Sequence, residues 1–127
     1  MRILIDTSIW IDYFKSGTNS SRLDSLIDDN LIVINNIILA ELVPFLAIKK
    51  QFKVIELLSN ITLLPLQTDW AEIINWQTTC LSKGHYDIGI PDLLIAQNSK
   101  QQNCKIYSLD KHFRLLTEAI EDIQLFD

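Results

Sequence analysis

Short apolar runs alternate with amphipathic segments along the whole chain, and this alternation limits the fold more than any other feature. The runs have the length of buried strands and lie at 2–5, 31–34, 61–66, 105–109 and 123–126. The segments between them carry apolar side chains at helical spacing, at 8–15, 21–29, 36–48, 53–60, 68–83, 91–98 and 111–116. Strands that alternate with helices predict an α/β fold with a central parallel sheet. Right-handed crossovers then give a three-layer α/β/α sandwich.

The length and the hydrophobic content suit one globular domain over residues 1–127. The chain has 127 residues, of which 48% are hydrophobic, enough for a substantial core. No apolar stretch approaches the roughly 20 residues that a bilayer span needs. Only three apolar residues separate Arg2 from Asp6, so no signal peptide is expected. Cys80 and Cys104 lack metal-ligand spacing, which favours buried thiols and a cytoplasmic protein.

The charge balance restricts how this chain could bind nucleic acid. Its net charge is −5, whereas nucleic-acid-binding proteins usually carry a basic excess. An RNA substrate would therefore need locally clustered cations or metal ions that neutralise an acidic site. Lys49, Lys50 and Lys53 are the densest basic group, and a solvated helix face is their commonest role.

Four carboxylates are predicted to meet at one edge of the sheet. Asp6 directly follows the first strand, and Asp110 follows the strand at 105–109. Asp92 lies at the start of a helix, and Glu41 lies about one turn into another. The carboxyl ends of parallel strands and the helices that follow them share one edge, which is where ligands bind in open α/β sheets.

Each carboxylate also has a structural interpretation. Asp6, Asp92 and Asp110 stand at helix starts, where aspartate is favoured as a cap. Glu41 lies within an apolar helix, where a buried carboxylate is costly unless it is paired or metal-bound. Alternatively, Glu41 points to solvent from a helix that Pro44 kinks or breaks.

The predicted cluster has the composition of a divalent metal site. Carboxylates without basic partners repel one another, and their pKa values rise unless a cation binds among them. Hard oxygen ligands with open positions suit Mg²⁺, with Mn²⁺ as a substitute. Such an ion polarises a phosphodiester and orients an attacking water, so the cluster points to metal-dependent phosphodiester hydrolysis.

Three segments, taken together and in order, resemble the PIN domain, and specifically the VapC-type toxin of bacterial toxin–antitoxin pairs. They read IDTSIWIDYF, NNIILAEL and IPDLLIAQNSKQQNCKIYSLDKHF, and the resemblance covers essentially the whole chain. It implies the strand order 3-2-1-4-5 and a Mg²⁺-dependent endoribonuclease. The catalytic, metal-holding acids that it implies are Asp6, Glu41, Asp92 and Asp110.

The same resemblance implies supporting residues and partners. Thr7 or Ser8 matches a hydroxyl that helps to hold the first acid or a metal-bound water, and Ser108 occupies a second hydroxyl position. Asp87 is close enough in sequence to Asp92 to compete as a ligand. Family members cleave RNA, usually form homodimers and are inhibited by a VapB-type antitoxin, often through a basic side chain inserted into the acidic pocket.

Aromatic and histidine side chains have weaker signals. Core positions are predicted first for Trp10, Tyr13 and Phe14, and a groove that receives the antitoxin is their second interpretation. Core positions are also predicted first for a second apolar group, with a dimer contact as the second interpretation: Trp70, Ile73, Ile74 and Trp76. For His112, which is close in sequence to Asp110, a surface role is predicted.

Two other functions compete with the nuclease. An aspartyl-phosphate phosphatase also begins with an aspartate after its first strand, but it needs a second acid two residues later, where this chain has Ser8. A non-catalytic PIN-like or receiver-like module that binds a metal or a partner is favoured by the acidic net charge. The four retained acids argue against it, because pure binding does not require an uncompensated carboxylate cluster.

Overall fold

A computed structural model describes residues 1–127. The strands are β1 (Ile3–Ile5), β2 (Ile32–Ile34), β3 (Thr62–Leu63) and β4 (Lys105–Tyr107). The helices are α1 (Thr7–Lys15), α2 (Leu23–Asp28), α3 (Asn36–Ile48), α4 (Phe52–Ser59), α5 (Trp70–Ser82), α6 (Ile90–Gln101) and α7 (Lys111–Ala119). Each lies within or close to the segment where the sequence predicts it.

All four strands are parallel and lie in the order β3-β2-β1-β4. Strand β1 is central: Ile3 pairs with Ile32 on one side and with Lys105 on the other. Every residue of β1 is buried, as expected for a parallel strand covered on both faces. This parallel sheet, flanked by helices, confirms the predicted α/β class.

The predicted fifth strand at 123–126 is wrong as a regular strand. Leu125 forms only an isolated parallel bridge with Ile106. The amide of Ile106 donates to the carbonyl oxygen of Gln124, and the amide of Phe126 donates to that of Ile106, at 2.9 and 2.8 Å. Asp122 adopts a left-handed backbone with φ of 73° just before this segment. The chain therefore turns beside β4 and aligns with it over a single bridge, in the position where the family order places strand five.

Pro44 does not break helix α3, so that part of the prediction is wrong. The helix is continuous from Asn36 to Ile48. A proline removes the hydrogen bond to the carbonyl four residues earlier, here that of Ala40. Both Pro44 and Ala40 are exposed, so water can satisfy the freed carbonyl group.

Helix α5 presents two apolar faces. Ile73, Trp76 and Cys80 are buried, whereas Trp70 and Ile74 are 58% and 66% exposed. The core interpretation is therefore confirmed for Ile73 and Trp76 and wrong for the two exposed residues. Trp70 and Ile74 share a face because residues four positions apart are neighbours on a helix, and this exposed face adjoins the buried one.

The remaining general predictions concern the cysteines and membrane spans. Cys80 and Cys104 are buried free thiols, as the sequence predicts. None of the helices has the length and apolar character that crossing a bilayer requires.

Candidate active site

Asp6 is a nearly buried carboxylate at the carboxyl end of β1, and two serines stabilise its charge. It is 5% exposed and caps α1 through the amide of Ser8. The hydroxyl groups of Ser8 and Ser108 each donate to its Oδ2 at 2.8 Å. The amides of Leu109 and Asp110 in turn donate to those hydroxyl oxygens. All of the side-chain bonds of Asp6 end on Oδ2, which leaves Oδ1 available to a ligand.

Asp92 and Asp110 meet at the N-terminal ends of α6 and α7. Asp110 caps α7 by accepting from the amide of His112 at 2.9 Å. Asp92 stands at the third position of α6 and accepts from the amide of Gly89 at 3.3 Å. The His112 imidazole lies between them, with Nδ1 3.0 Å from Oδ2 of Asp92 and 3.4 Å from Oδ1 of Asp110. The surface role predicted for His112 is therefore wrong.

Glu41 reaches the same edge from α3. Its Oε1 accepts a hydrogen bond of 3.0 Å from Oγ1 of Thr7, the residue that follows Asp6. The residue is exposed, so the sequence-based expectation of a buried carboxylate is wrong. The exposure agrees with the alternative, a glutamate that points to solvent, but the helix that carries it is not broken at Pro44.

The carboxylates of Asp6, Asp92 and Asp110 lie within electrostatic range of Glu41. Partial desolvation raises the pKa of Glu41, the Thr7 hydroxyl opposes that rise, and the charges of Asp6, Asp92 and Asp110 add to it. Burial likewise raises the pKa of Asp92. The hydrogen bond from the Gly89 amide lowers the pKa of Asp92, the charge of Asp110 raises it, and His112 lowers it. Mutual repulsion of this kind is what a bound cation relieves.

The chemistry of these donors fits a divalent cation. Asp6, Glu41, Asp92 and Asp110 supply hard carboxylate oxygens, and the oxygens of Asp92 and Asp110 lie within 4.8 Å of each other and of a His112 nitrogen. Mg²⁺ and Mn²⁺ bind such oxygens while retaining waters. The assignment of individual ligands stays a prediction. Asp87 is exposed and forms no hydrogen bond or ion pair with this group.

A buried amide network joins the elements that carry Glu41 and Asp92. Asn35 caps α3 by accepting from the amide of Ile38 at 3.0 Å, and its Nδ2 donates to Oδ1 of Asn98 at 2.8 Å. Nδ2 of Asn98 donates to the carbonyl oxygen of Pro65 at 2.9 Å. Asn35 and Asn98 are both buried. The network therefore fixes the start of α3 against α6. No sequence pattern indicates this role for Asn98.

The raised pKa of Glu41 predicts how the metal-free protein responds to pH. Between the ordinary and the raised value, the folded state binds more protons than the unfolded state, so the free energy of unfolding rises as pH falls through that interval. We expect Glu41→Gln, which keeps an acceptor for Thr7, to stabilise the metal-free protein at pH 7.5. The gain should vanish at pH 3, where both states are protonated.

Urea unfolding in EDTA at the two pH values measures this difference. Glu118→Gln, on the exposed side of α7, controls for the loss of a surface charge. A Glu41→Gln protein that is less stable at pH 7.5, or equally stabilised at both pH values, would contradict the electrostatic assignment.

Comparison with solved structures shows the same fold. VapBC2 from Rickettsia felis bound to a promoter DNA fragment has a TM-score of 0.75 and 23% identity, covering 99% of this chain and 98% of that one. VapBC-1 from nontypeable Haemophilus influenzae has a TM-score of 0.75 and 25% identity, covering 100% and 98%. DNA-bound VapBC from Salmonella typhimurium has a TM-score of 0.75 and 21% identity, covering 100% and 98%.

Sequence comparison identifies the family. No curated protein sequence matches the chain significantly. The family model of the PIN domain matches residues 3–118, which include all four acids and both serines of the site. The resemblance inferred from the sequence is thus confirmed: this chain belongs to the PIN domain family.

Proposed function

We propose that this protein is a VapC-type toxin, a Mg²⁺- or Mn²⁺-dependent endoribonuclease that hydrolyses RNA phosphodiester bonds. The observation that carries the proposal is the convergence of four carboxylates from distant parts of the sequence on one edge of a parallel sheet. Glu41 bonds to Thr7, the neighbour of Asp6, and His112 contacts both Asp92 and Asp110. PIN domains are in general nucleases, and the solved structures that share this fold include VapBC complexes.

The proposed roles follow from the contacts of each side chain. When bound, a divalent ion supplies charge stabilisation for the phosphodiester and lowers the pKa of an attacking water. Asp6, Glu41, Asp92 and Asp110 would hold that ion. Ser8 and Ser108 hold Asp6 with Oδ1 directed away from their hydrogen bonds. Thr7 donates a hydrogen bond to Glu41, and Ser108 donates one to Asp6. Thr7 and Ser108 therefore act as positioning residues for these two acids.

An apolar groove on the side of α1, α2 and α4 supports an antitoxin partner. It encloses about 300 Å³, and all of its lining side chains are hydrophobic: Trp10, Tyr13, Phe14, Ile27, Ile32, Val54, Leu57, Leu58 and Ile61. The Nε1–H of Trp10 is buried without a hydrogen-bond partner. An amphipathic helix binds in such grooves through regularly spaced apolar anchors. We propose this groove as the docking site of a VapB-type antitoxin.

The exposed apolar face of α5 supports a homodimer. Trp70, Ile74, Leu81 and Ile90 line a shallow depression there and are 40–66% exposed. We expect Ile74→Asp to weaken self-association by about 100-fold, because each copy would bury an unpaired carboxylate at the contact. Analytical ultracentrifugation of both proteins across a concentration series measures this shift.

Ile48→Asp is the matched control for this face. Ile48 is 83% exposed and lies at the end of α3, outside the depression. The Ile48→Asp substitution should leave self-association unchanged. A monomeric wild-type protein, or equal weakening by both substitutions, would show that α5 is not the dimer contact.

The nuclease proposal is tested by incubating the purified protein with a mixed RNA substrate. Cleavage should require Mg²⁺ or Mn²⁺ and should stop in EDTA. If Mn²⁺ binds but no RNA is cleaved, the protein is better described as a non-catalytic metal-binding PIN-like module.

A further inference from the structure

His112 occupies a position that the four-acid description of the site does not use. Its side chain is 22% exposed and faces the acidic group, not solvent alone. Nδ1 lies 3.0 Å from Oδ2 of Asp92 and 3.4 Å from Oδ1 of Asp110. One ligand atom from each of these three residues lies within 4.8 Å of the others. The nitrogen therefore shares the space in which two of the proposed carboxylate ligands meet.

The backbone at the start of α7 holds the imidazole in this place. The amide of His112 donates to Oδ1 of Asp110, which caps the helix. The next residue, Phe113, is 1% exposed and anchors the first turn of α7 in the core. The position of His112 relative to Asp110 is thus fixed by a helix cap and by core packing, and Asp92 is fixed in turn by its bond from the Gly89 amide.

We infer that His112 is a direct ligand of the divalent cation through Nδ1, together with Asp92 and Asp110. This inference rests on the metal site in the proposed function and adds a nitrogen to its oxygen ligands. Imidazole is a softer ligand than carboxylate, and it favours first-row transition metals over Mg²⁺. The donor set therefore discriminates between Mn²⁺ and Mg²⁺, which four carboxylates alone would do less strongly.

The experiment uses the full chain, Mn²⁺ alone and no RNA. Electron spin echo envelope modulation of bound Mn²⁺ should show coupling to a directly bound ¹⁴N in the wild-type protein. The coupling should disappear in His112→Ala and persist in His85→Ala, which removes the chain's other histidine. Titration should show Mn²⁺ affinity falling about tenfold or more in His112→Ala, with Mg²⁺ affinity changing less than about twofold.

His112→Asn separates direct ligation from an orienting role. The asparagine amide retains a hydrogen-bond donor toward Asp92 and also serves if the alanine variant fails to fold. Loss of the ¹⁴N coupling and of the Mn²⁺ preference in His112→Asn supports ligation. Wild-type affinity in His112→Asn, or equal losses for Mg²⁺ and Mn²⁺, would assign His112 to positioning Asp92 and overturn the inference.

The remaining outcomes distinguish this inference from the proposed function. Bound Mn²⁺ without ¹⁴N coupling in the wild-type protein would overturn the role of His112 and leave the metal-dependent nuclease standing. A wild-type protein that binds no Mn²⁺ would contradict both. Nitrogen coupling in a protein that cleaves no RNA would support the ligand assignment while contradicting the nuclease.

Discussion

Asp92→Asn is expected to reduce metal-dependent RNA cleavage by at least about 100-fold, the loss that removing one charge-stabilising group commonly causes. The substitution removes a negative charge from the group that would hold the cation, and a neutral amide binds a divalent ion far more weakly. The side-chain oxygen of asparagine can still accept the hydrogen bond from the Gly89 amide that belongs to the N-terminal cap of α6. The fold should therefore survive, and the activity should not.

Cleavage of a mixed RNA is measured for both proteins with Mg²⁺, with Mn²⁺ and with EDTA. Asp87→Asn is the matched control, because Asp87 is an exposed aspartate five residues before Asp92 and forms no hydrogen bond or ion pair with the site. Its activity should equal that of the wild type. Full activity in Asp92→Asn would refute the ligand set, and lost activity in Asp87→Asn would show that the wrong aspartate had been chosen.

Asn98→Ala is expected to lower the free energy of unfolding by about 3 kcal/mol, because it leaves buried polar groups without partners. The side chain is 2% exposed and makes two hydrogen bonds, one from Asn35 and one to Pro65. Without it, Nδ2 of Asn35 loses its acceptor and the Pro65 carbonyl loses a donor. The loss also loosens the start of α3 against α6, so RNA cleavage should fall as well.

Urea unfolding by circular dichroism measures the change in stability. Asn75→Ala replaces an exposed asparagine on α5 and should change the free energy of unfolding by no more than about 0.5 kcal/mol. If both substitutions change the free energy of unfolding by the same small amount, the amide network contributes little more to stability than hydrogen bonds to water would.

Much of the fold follows from local sequence patterns. The continuous apolar run at 3–5 predicts a strand buried on both faces, and β1 is buried throughout. Asp6, Asp69 and Asp110 each cap the helix that follows them, because a short side-chain acceptor satisfies the free amides of a first turn. These are interactions between residues close in sequence, so the sequence shows both partners together.

The meeting of the acids could also be predicted, because it depends on topology more than on side-chain detail. Parallel strands place all of their carboxyl ends at one edge, so a residue just after a strand is placed by the sheet itself. The sequence left two interpretations of Glu41, buried or pointing to solvent, and it could not decide between them because the outcome depends on how α3 is rotated against α1. Asp92 lies 20 residues from His112, and Asn35 lies 63 residues from Asn98, so no local pattern indicates these two contacts.

The sequence by itself determined the four strands β1 to β4, the helix caps and the edge of the sheet to which Asp6, Glu41, Asp92 and Asp110 belong. Only the tertiary structure placed His112 between two of those acids and reduced the segment at 123–126 to a single bridge. It also placed Trp70 and Ile74 on an open face of α5. The physical reason is the range of the interactions: periodicity and capping act within a few residues, whereas side-chain contacts across the fold depend on how whole elements pack.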